Sequence, residues 1–469
     1  MTHETSHDTA HDTRHDSGYD VVVIGGGPAG VAGALSAAQA GASVVLIDAG
    51  ARLGGQYFRH QAGGRPTGHG AERFARQCRA LESRATLLLG HKVWAVEQDG
   101  DGSITVHCLE GRDERPVSVT ARAVLVATGA HDRPLPFPGW DLPGVFTAGG
   151  AQALLKGNGV TAGRRVVVSG TGPFLLPVAA GLAAAGASVA GVFEANGLFG
   201  LARHPLLAAG KAGEAVGYGA ALARRRVPYR TRHAVVAAHG TTSVTHVTVA
   251  RLDPAWRILS TRTVECDAVA AGYGFVPQIE LAVQLGCATG HSPDGSPVVA
   301  VDAAQRTTVA GVYAAGEPTG VGGAALSELE GRIAGLTIAR DLAAPGGSLD
   351  HVPGVLRRRA ERLRAFGEAL QHAYPVQPGW QDWLADDTLI CRCEEVPLAA
   401  VREAMTLGAT DARSVKLLAR PGMGWCQGRV CGYAVSCLSG EPTTQAPRRP
   451  IAQPIPLGCL ERIDDEQPR

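Results

Sequence analysis

The sequence predicts an α/β fold with two interleaved, three-layer domains of the Rossmann type and a small, mostly helical domain that holds a cysteine cluster. Residues 19–48 have the pattern of a strand, a glycine-rich turn, a helix and a second strand, and the same order recurs at residues 164–196. Such βαβ units build parallel sheets, so each one predicts a dinucleotide-binding type of domain. Four cysteines between residues 391 and 431 predict the third domain.

The composition is that of a large protein without a strong net charge. With 469 residues, the chain has room for about three domains of ~150 residues each. Lysine and arginine total 44 and aspartate and glutamate 43, which gives no electrostatic reason to expect nucleic acid or an anionic membrane as a partner. No run approaches the ~18 apolar residues of a membrane span, and no signal-peptide core precedes the first strand. Six of the ten cysteines are scattered singly and four are grouped like metal ligands, so we expect a reducing, cytoplasmic setting.

Residues 1–17 form a tetrapeptide repeat that places His3, His7, His11 and His15 at every fourth position. On a helix these side chains would share one face and could hold a metal ion. The segment has few apolar residues to dock it, so a disordered, solvated tail is the favoured interpretation.

A glycine-rich turn between the first strand and the first helix has the spacing G-x-G-x-x-G. The first glycine permits the tight turn, the second lets the backbone approach a pyrophosphate, and the third lets the helix pack close to the strand. The helix N-terminus then presents free N–H groups to the phosphates, and an acidic residue after the second strand can accept hydrogen bonds from a ribose. The predicted dinucleotide contacts are Gly25, Gly27, Pro28, Ala29, Gly30 and Asp48.

Two further segments favour FAD over NAD as the ligand of this first site. LVATGA at residues 125–130 and GVYAAGE at residues 311–317 resemble the second and third signatures of the flavoproteins with two dinucleotide-binding domains. The resemblance implies cofactor contacts at Gln56, Thr128, Gly129, Gly316 and Glu317. The third signature usually ends in Asp, and Glu317 differs in reach although it can still accept hydrogen bonds. The helix from about Gly323 would point its N-terminus at the flavin.

The second βαβ unit gives an incomplete dinucleotide fingerprint. Gly170 and Gly172 match the first two glycines, but Leu175 occupies the third position, where a bulky side chain would push the helix away from the strand. Glu194 ends the following strand, where it could bind ribose hydroxyls and favour NAD over NADP. Two interpretations stay open: the domain binds NAD(P) or another adenine nucleotide, or it keeps the fold with a degraded or repurposed pocket.

No cysteine pair is available beside the predicted flavin. The segment RLGGQYFRH at residues 52–60 contains no cysteine, and no Cys-x-x-Cys occurs in the chain, which excludes chemistry of the thioredoxin-reductase or glutathione-reductase kind. No catalytic residue is singled out, because His60, His131 and His233 are interpreted as ordinary hydrogen-bonded histidines.

The cysteine cluster combines Cys391 and Cys393, in ICRCEEV, with Cys426 and Cys431, in GWCQGRVC. Thiolates suit soft metals, and a [2Fe-2S] cluster, a structural zinc and free thiols all stay open as interpretations. The [2Fe-2S] cluster is favoured, because zinc knuckles more often use Cys-x2-Cys pairs. Glycines around the second pair would also let backbone amides approach the cluster sulfurs.

The predicted division of the chain follows these features. Residues 1–17 are a tail, residues 18–145 and 265–345 form a discontinuous FAD-binding domain, and residues 146–264 form the NAD(P)-type domain. A helical connector at residues 346–386 leads to a [2Fe-2S]-binding domain at residues 387–440, and residues 441–469 are an irregular tail.

From about residue 18 to residue 440, the chain resembles the alpha subunits of hetero-oligomeric FAD-linked amine dehydrogenases, of the opine oxidase, proline or D-hydroxyproline dehydrogenase and hydrogen cyanide synthase type. The shared segments are GGGPAG, GGQ, ATGA, GTGPFLLPVA, AGE, CRCEEV and GMGWCQGRVC. The last two resemble the bacterioferritin-associated-ferredoxin-like [2Fe-2S] domain. The resemblance implies FAD, a [2Fe-2S] cluster at the four cysteines, and a separate amino-acid-oxidase-like flavoprotein subunit that oxidises the amine.

The expected function is therefore that of an FAD-dependent oxidoreductase subunit. Electrons from an amine or imino acid of the opine, proline or hydroxyproline type would pass through flavin and a [2Fe-2S] cluster to an external acceptor. One alternative is a self-contained NAD(P)H-dependent flavin reductase that feeds a partner protein through the cluster. Another is a non-enzymatic assembly subunit whose zinc-filled cysteine module docks partners.

Overall fold

The first βαβ unit opens a seven-stranded sheet in the computed structural model, which describes residues 15–197, 212–343 and 353–464. The described strands are β1 (His15–Ile24), β2 (Val44–Asp48), β3 (Thr86–Leu89), β4 (His91–Gln98), β5 (Ile104–Glu110), β6 (Arg115–Val126), β7 (Ala130–Asp132), β8 (Val145–Thr147), β9 (Arg165–Gly170), β10 (Ser188–Glu194), β11 (Tyr229–Thr231), β12 (His233–His239), β13 (His246–Leu252), β14 (Ile258–Glu265), β15 (Ala268–Gly272), β16 (Phe275–Pro277), β17 (Thr289–His291), β18 (Pro297–Val299), β19 (Val312–Ala314), β20 (Leu389–Cys391) and β21 (Val396–Pro397).

Helices alternate with strands in the two βαβ units, whereas β3 to β8 and β11 to β16 follow one another without an α-helix. The described α-helices are α1 (Pro28–Gln39), α2 (Ala71–Glu82), α3 (Ala148–Asn158), α4 (Leu175–Ala184), α5 (Ala212–Arg224), α6 (Glu280–Gln284), α7 (Ala324–Leu342), α8 (Gly354–Ala373), α9 (Leu398–Thr406), α10 (Ala412–Ala419), α11 (Gly432–Leu438) and α12 (Leu457–Asp464). Two 3₁₀ helices span Glu317–Thr319 and Pro378–Trp383. None of the described helices combines the length and the apolar character that crossing a bilayer requires.

The first sheet has the order β3-β2-β1-β6-β5-β4, and β19 pairs with the C-terminal end of β6. Its central strands are parallel, whereas β4 and β5 extend it in antiparallel fashion. Residues 21–24 of β1 and 44–47 of β2 are runs of valine, isoleucine and leucine that are buried on both faces, as a sheet covered by two layers requires. Helices α1, α2 and α7 pack on one face, and α6 shares a core with the other face.

Helices α1 and α7 approach each other at glycines. A Cβ added to Gly331 would lie 2.0 Å from the Ala29 carbonyl oxygen, and one added to Gly335 would lie 2.1 Å from the Gly33 carbonyl oxygen. Since only glycine allows backbones to come this close, these residues set the separation of the two helices. The last helix of the first domain therefore lies directly against the helix that follows the first glycine turn.

The second sheet is parallel throughout and has the order β11-β10-β9-β15-β8. Helices α3 and α4 pack on it, and an antiparallel sheet of β12, β13 and β14 lies on its other side. The predicted boundary at residue 265 needs correction here, because β15 pairs with β9 and β8 instead of joining the first sheet. All five residues of β15 are buried, so this strand completes the second core.

A two-stranded ribbon connects the two domains. The chain leaves the first sheet through β7 and returns through β16, and the two strands pair antiparallel with Val276 opposite His131. Their backbones are thus fixed to each other at the junction.

The connector is fastened to both domains. Helix α8 packs its Ala360, Leu356 and Leu363 against α7 of the first domain. The 3₁₀ helix that follows buries Trp380 and Trp383 in the core of the second domain, where Trp383 stacks on Trp256 at 5.9 Å.

The cysteine module, residues 387–440, contains the short β20–β21 ribbon and helices α9, α10 and α11. Its buried residues Val401, Val415 and Val435 belong to the same core as Trp256 of the second domain. The indole N–H of Trp140 also donates to the Leu389 carbonyl at 2.6 Å. The module therefore packs on the second domain along one side.

Both chain ends differ from the predicted tails where the structure describes them. His15 already pairs with Val119 in β1, while His3, His7 and His11 lie outside the described residues. The predicted irregular tail contains helix α12, and Cys459 on this helix is fully buried. Ala446 and Ala452 pack on the core of the first domain, so apolar side chains hold the C-terminal segment to the sheet.

Candidate functional site

The first glycine turn brings backbone atoms close together at Gly25 and Gly30 and leaves open space at Gly27. Gly25 has φ +109°, and a Cβ on it would lie 2.3 Å from the Ala127 carbonyl oxygen. A Cβ on Gly30 would lie 1.7 Å from the Gly25 carbonyl oxygen, so helix and turn touch there. A Cβ on Gly27 would meet only Gly55, at 3.9 Å. The space in front of Gly27, at the N-terminus of α1, is therefore open, and its occupation by a pyrophosphate stays a prediction.

Asp48 orders the loops on both sides of this space. Its Oδ2 accepts from the Gly26 N–H at 2.5 Å and its Oδ1 accepts from the Gly50 N–H at 2.6 Å. Burial raises the pKa of the carboxyl, and the two N–H donors oppose that rise. Each carboxylate oxygen can accept more than one hydrogen bond, so a ribose hydroxyl can still bind there.

The Gly-Gly-Gln segment lies across the glycine turn. Gly54 and Gly55 have φ +135° and +54°, and a Cβ on Gly55 would come within 3.0 Å of the Gly27 Cα. The exposed Gln56 accepts from the Arg59 guanidinium at 2.9 Å. These residues line the open space in front of Gly27 on the side opposite α1, and we call this space the first glycine cradle.

Thr128 and Gly129 stand at the start of the interdomain ribbon. The Thr128 hydroxyl donates to the Gln278 carbonyl at 2.6 Å, and the Gln278 N–H donates to the Gly129 carbonyl at 2.9 Å. Gly129 has φ +81° and open space where a Cβ would be. The second predicted motif thus ties the outgoing and returning strands together.

The third motif turns Glu317 towards the N-terminus of α7. Its carboxylate accepts from the Gly323 N–H at 2.9 Å and the Gly322 N–H at 3.2 Å. Burial, with a smaller contribution from the carboxylate of Glu330, raises the pKa of Glu317 to about 7. Glu317 therefore orders the turn in front of α7, and its contact with a cofactor stays a prediction.

Two residues beneath this turn were not singled out from the sequence. Glu330 of α7 is 1% exposed and accepts from the Gly316 N–H at 2.9 Å and the Thr319 hydroxyl at 3.2 Å. Arg364 of α8 forms an ion pair with Glu330 and donates to the Thr319 carbonyl at 2.8 Å. An acid on the buried face of α7 is the signal that could have identified Glu330. Nothing distinguishes Arg364 from the other arginines of α8 in the sequence.

The second glycine turn keeps its geometry although its third glycine is missing. Gly170 has φ +142°, and a Cβ on it would lie 1.7 Å from the Gly272 carbonyl oxygen. Gly172 has φ +96° and open space where a Cβ would be. Leu175 is buried under the first turn of α4, where it fills the position that a third glycine would leave open.

Glu194, the predicted ribose acceptor of the second site, faces inwards. It is 1% exposed and accepts from the Thr171 hydroxyl at 2.9 Å, the Gly172 N–H at 2.8 Å and the Asn196 N–H at 2.9 Å. Burial raises the pKa of its carboxyl to about 7. The Asn196 amide also donates to the Pro375 carbonyl at 2.9 Å, so the connector reaches this site.

The structure brings the two cysteine pairs together. The Cys391 thiol contacts Cys431, and the Cys393 thiol contacts Cys426, so each contact joins one cysteine from either segment. The interaction with Cys431 and the N–H of Gly422 lower the pKa of Cys391 to about 5. The same contact and burial raise the pKa of Cys431.

Glycines make this convergence sterically possible. A Cβ on Gly424 would lie 2.5 Å from the Cys393 Cβ, and the Gly422 N–H points at the Cys391 sulfur at 3.5 Å. Within the described ranges, no group of three or more His, Cys, Asp or Glu side chains is placed to hold a metal ion. No disulfide joins any of the ten cysteines, all of which lie in those ranges.

The second cysteine segment is anchored on the interdomain ribbon. A ring nitrogen of His131 in β7 lies 3.1 Å from the Arg429 carbonyl oxygen, and the Arg429 guanidinium pairs with Glu280 at 3.0 Å. Arg133, also on the outgoing side, stacks on the Tyr433 ring at 4.4 Å. Burial and Arg429 lower the pKa of His131 to about 4, so this imidazole is neutral at physiological pH.

The other two histidines considered from the sequence make local contacts. Ring nitrogens of His60 and His233 lie 2.9 Å and 2.8 Å from backbone carbonyl oxygens two residues away. These contacts agree with their interpretation as ordinary histidines.

Comparison with known proteins gives a family and several relatives. The family model of the pyridine nucleotide-disulphide oxidoreductases matches residues 19–341. The HcnB subunit of hydrogen cyanide synthase from Pseudomonas aeruginosa is 34% identical to 95% of this chain, over 99% of its own length. An opine oxidase subunit from Agrobacterium tumefaciens is 33% identical to 89% of this chain, over 85% of its own length.

Among solved structures, L-proline dehydrogenase from P. horikoshii is similar to this chain, with a TM-score of 0.69 and 24% identity. The similarity covers 94% of this chain and 79% of that one. Together with the family match and the parallel strands at the centre of both sheets, it confirms the predicted α/β fold with two Rossmann-type domains.

Proposed function

Because the chain belongs to the pyridine nucleotide-disulphide oxidoreductase family and is an FAD-dependent oxidoreductase, we propose that it is the electron-transferring subunit of an amine or imino-acid dehydrogenase. The proposed substrates are of the opine, proline or hydroxyproline type. One observation carries the proposal: His131, two residues after Gly129 of the cofactor motif, contacts the backbone of Arg429 in the second cysteine segment. The candidate cofactor site and the candidate cluster are thereby joined at one place in the fold.

The first glycine cradle fits FAD. Gly27 leaves open space beside free N–H groups, Asp48 holds both flanking loops, and Gly316 starts the turn in front of α7. When bound, FAD accepts electrons in pairs and releases them singly, which suits a protein that also carries a one-electron centre. The chain's own contribution is to bind the pyrophosphate and to hold the turn at the start of α7.

The four cysteines fit a [2Fe-2S] cluster better than a single zinc ion. A structural zinc needs four ligands around one point, whereas a [2Fe-2S] cluster takes two thiolates on each iron. The contacts of Cys391 with Cys431 and of Cys393 with Cys426 supply such pairs.

The named relatives support a partner for this chain. HcnB and the opine oxidase relative are both subunits of larger enzymes by name, so the proposed partner is a flavoprotein subunit of the amino-acid-oxidase kind that oxidises the substrate. The lack of disulfides among ten cysteines supports the proposed cytoplasmic setting.

A second candidate function is an NAD(P)H-dependent flavin reductase. The open space at Gly172 favours it, because a nucleotide phosphate could still approach the second turn. The buried position of Glu194 argues against NAD(P)H binding, because its carboxylate already accepts three hydrogen bonds within the protein.

The test uses the purified, full-length chain under anaerobic conditions. We expect one FAD and roughly two irons per chain, the latter with matching acid-labile sulfide. Stopped-flow mixing with NADH and with NADPH should leave the flavin oxidised, whereas addition of the flavoprotein subunit with an amine substrate should reduce it. Rapid bleaching of the flavin by either nicotinamide would favour the second candidate, and zinc without iron would contradict the cluster.

A further inference from the structure

A cavity of about 280 Å³ lies among helices α1, α2, α7 and α8, on the helical face of the first sheet. Its lining includes no residue of the first glycine cradle and none of the two cysteine segments. Pockets for drug-sized ligands measure ~300–1,000 Å³, so this cavity suits a small metabolite. The proposed function assigns no task to it.

Part of the cavity lining is apolar. Ala32 and Leu35 of α1 and Leu329 of α7 are buried, and Leu356 of α8 is half-buried. Leu329 and Leu356 also belong to the small core between α7 and α8, so this part of the lining is held by packing. An apolar lining of this kind fits an aliphatic body.

Glu328 of α7 connects the cavity to α2. Its carboxylate forms an ion pair with Arg73 at 2.6 Å and accepts from the Gln77 side-chain amide at 3.0 Å. The Glu328 side chain is 20% exposed, and each carboxylate oxygen can accept a further hydrogen bond. The Oε1 of Gln77 is buried and accepts no hydrogen bond from any described residue. Because buried acceptors are rarely left without a donor, the α2 side of the cavity favours a ligand that carries N–H groups.

Two arginines that line the cavity lack a counter-ion. Arg332 follows Glu328 by one turn of α7, a spacing that places Cβ atoms ~5–6 Å apart and commonly allows glutamate and arginine to pair. The contacts of Glu328 are made with α2 instead. Neither Arg332 nor Arg359 of α8 forms an ion pair within the part of the chain that the structure describes. Since guanidinium groups bind carboxylates with two parallel N–H donors, both arginines are available to a carboxylate.

The charges around the cavity favour a ligand with both a negative and a positive group. Three arginines and one glutamate line it, which gives a net charge of +2. The other acids of α2, α7 and α8 do not line it: Glu72, Glu82, Glu330, Asp341, Glu361 and Glu368. The positive balance attracts an anion, whereas the carboxylate of Glu328 and the unpaired oxygen of Gln77 disfavour a ligand that is purely anionic.

We propose that this cavity is a binding site for a small amino or imino acid in its zwitterionic form. The carboxylate of the ligand binds Arg332 and Arg359, and its ammonium group donates to Glu328 and Gln77. The aliphatic part lies against the apolar lining. The inference goes beyond the proposed function, because the ligand class follows from the lining side chains alone.

The test is isothermal titration calorimetry of the purified, full-length chain with L-proline and with L-valine. Two analogues of proline each lack one charged group: pyrrolidine has no carboxylate, and cyclopentanecarboxylate has no amine. Inorganic phosphate at equal ionic strength tests for the binding of anions in general. Arg332→Gln and Arg359→Gln each remove a partner of the carboxylate. Arg358→Gln is the matched control, because Arg358 lies on α8 and does not line the cavity.

We expect saturable binding of one L-proline or one L-valine per chain. Arg332→Gln and Arg359→Gln should weaken it at least about tenfold, because each loses a charge-assisted hydrogen bond, and Arg358→Gln should bind as the wild type does. The three arginines are exposed, so these variants should keep the wild-type urea midpoint. Pyrrolidine and cyclopentanecarboxylate should each bind at least about tenfold more weakly than L-proline.

Three outcomes would overturn the inference. The first is the absence of saturable binding of both L-proline and L-valine. The second is binding of cyclopentanecarboxylate or phosphate as tightly as L-proline, since that result shows a site for anions in general. The third is wild-type affinity in both Arg332→Gln and Arg359→Gln, which would place the bound amino acid elsewhere.

Discussion

Arg364 of helix α8 forms an ion pair with Glu330 of helix α7, directly beneath the Gly316 turn of the third cofactor motif. Glu330 is 1% exposed, and Arg364 also donates two hydrogen bonds to Thr319, at 2.8 Å and 2.9 Å. The arginine comes from the connector that leads to the cysteine module. The geometry of the cofactor turn therefore depends on a segment outside the first domain.

Replacing Arg364 should weaken both the fold and the binding of FAD. In Arg364→Ala the carboxylate of Glu330 loses its charge partner while it stays buried, which costs about 3 kcal/mol in comparable pairs. We expect a lower urea midpoint and at least tenfold weaker FAD binding, measured by quenching of flavin fluorescence. Arg362→Ala, on the exposed side of the same helix, should change neither.

The double variant Arg364→Ala/Glu330→Gln separates stability from positioning. Removing the buried charge should recover part of the lost free energy of unfolding, but the Gly316 N–H keeps only a neutral acceptor and the Thr319 carbonyl loses its donor. FAD binding should therefore stay impaired. Full recovery of FAD affinity would show that the pair is only structural.

Substitution by alanine should lower the stability of the protein at Gly30 and its affinity for FAD at Gly27. A Cβ on Gly30 would lie 1.7 Å from the Gly25 carbonyl oxygen, so Gly30→Ala should destabilise the FAD-free protein by ~3 kcal/mol. Gly27 has φ −79°, and a Cβ there meets only Gly55 at 3.9 Å, so Gly27→Ala should fold normally. Its methyl group occupies the space of the pyrophosphate, and FAD affinity should fall more than tenfold. Equal FAD binding by Gly27→Ala and wild type would place the cofactor elsewhere.

Structural features formed by residues that are close together in the sequence could be predicted. The glycine turns at Gly25 and Gly170 are recognisable because strand, turn and helix lie within one βαβ unit. The contacts of Arg364 with Glu330 and of Asn196 with Pro375 join residues 34 and 179 positions apart, and no local pattern marks them. Such contacts form only when the connector packs on both domains.

The same reasoning explains the misplaced boundary at β15. Residues 265–272 follow an antiparallel meander and precede the return to the first domain, so either sheet could have accepted their apolar run. Residues 268–272 pair with β9 along five positions, and at the end of this ladder the Gly272 carbonyl accepts from the Thr171 N–H at 2.8 Å. Gly170, at the glycine turn, leaves the room for that contact.

Glu194 should make stability depend on pH. Burial raises the pKa of its carboxyl from 4.5 to about 7, so between these values the folded protein keeps a proton that the unfolded chain releases. The corresponding stabilisation is fully present below pH 4.5 and is lost as the pH rises to about 7. Glu194→Gln should reduce the slope of this part of the profile in urea unfolding at a series of pH values, while Glu317, whose pKa is also raised to about 7, maintains the remainder. Glu361→Gln, an exposed site on α8, should keep the wild-type slope.

Loss of a single cluster cysteine should remove iron without removing FAD. Cys391 is buried at the contact of the two segments, and its replacement by Ser leaves at most three thiolates for the cluster. We expect Cys391→Ser and Cys426→Ser to lose most of their iron and acid-labile sulfide, measured together with the visible spectrum, while FAD stays near one per chain. Cys437→Ser is the matched control, because Cys437 lies in the same module on α11 but outside the four-cysteine set. Iron that persists in Cys391→Ser and Cys426→Ser would show that another site holds it, and the electron route through these cysteines would then have to be abandoned.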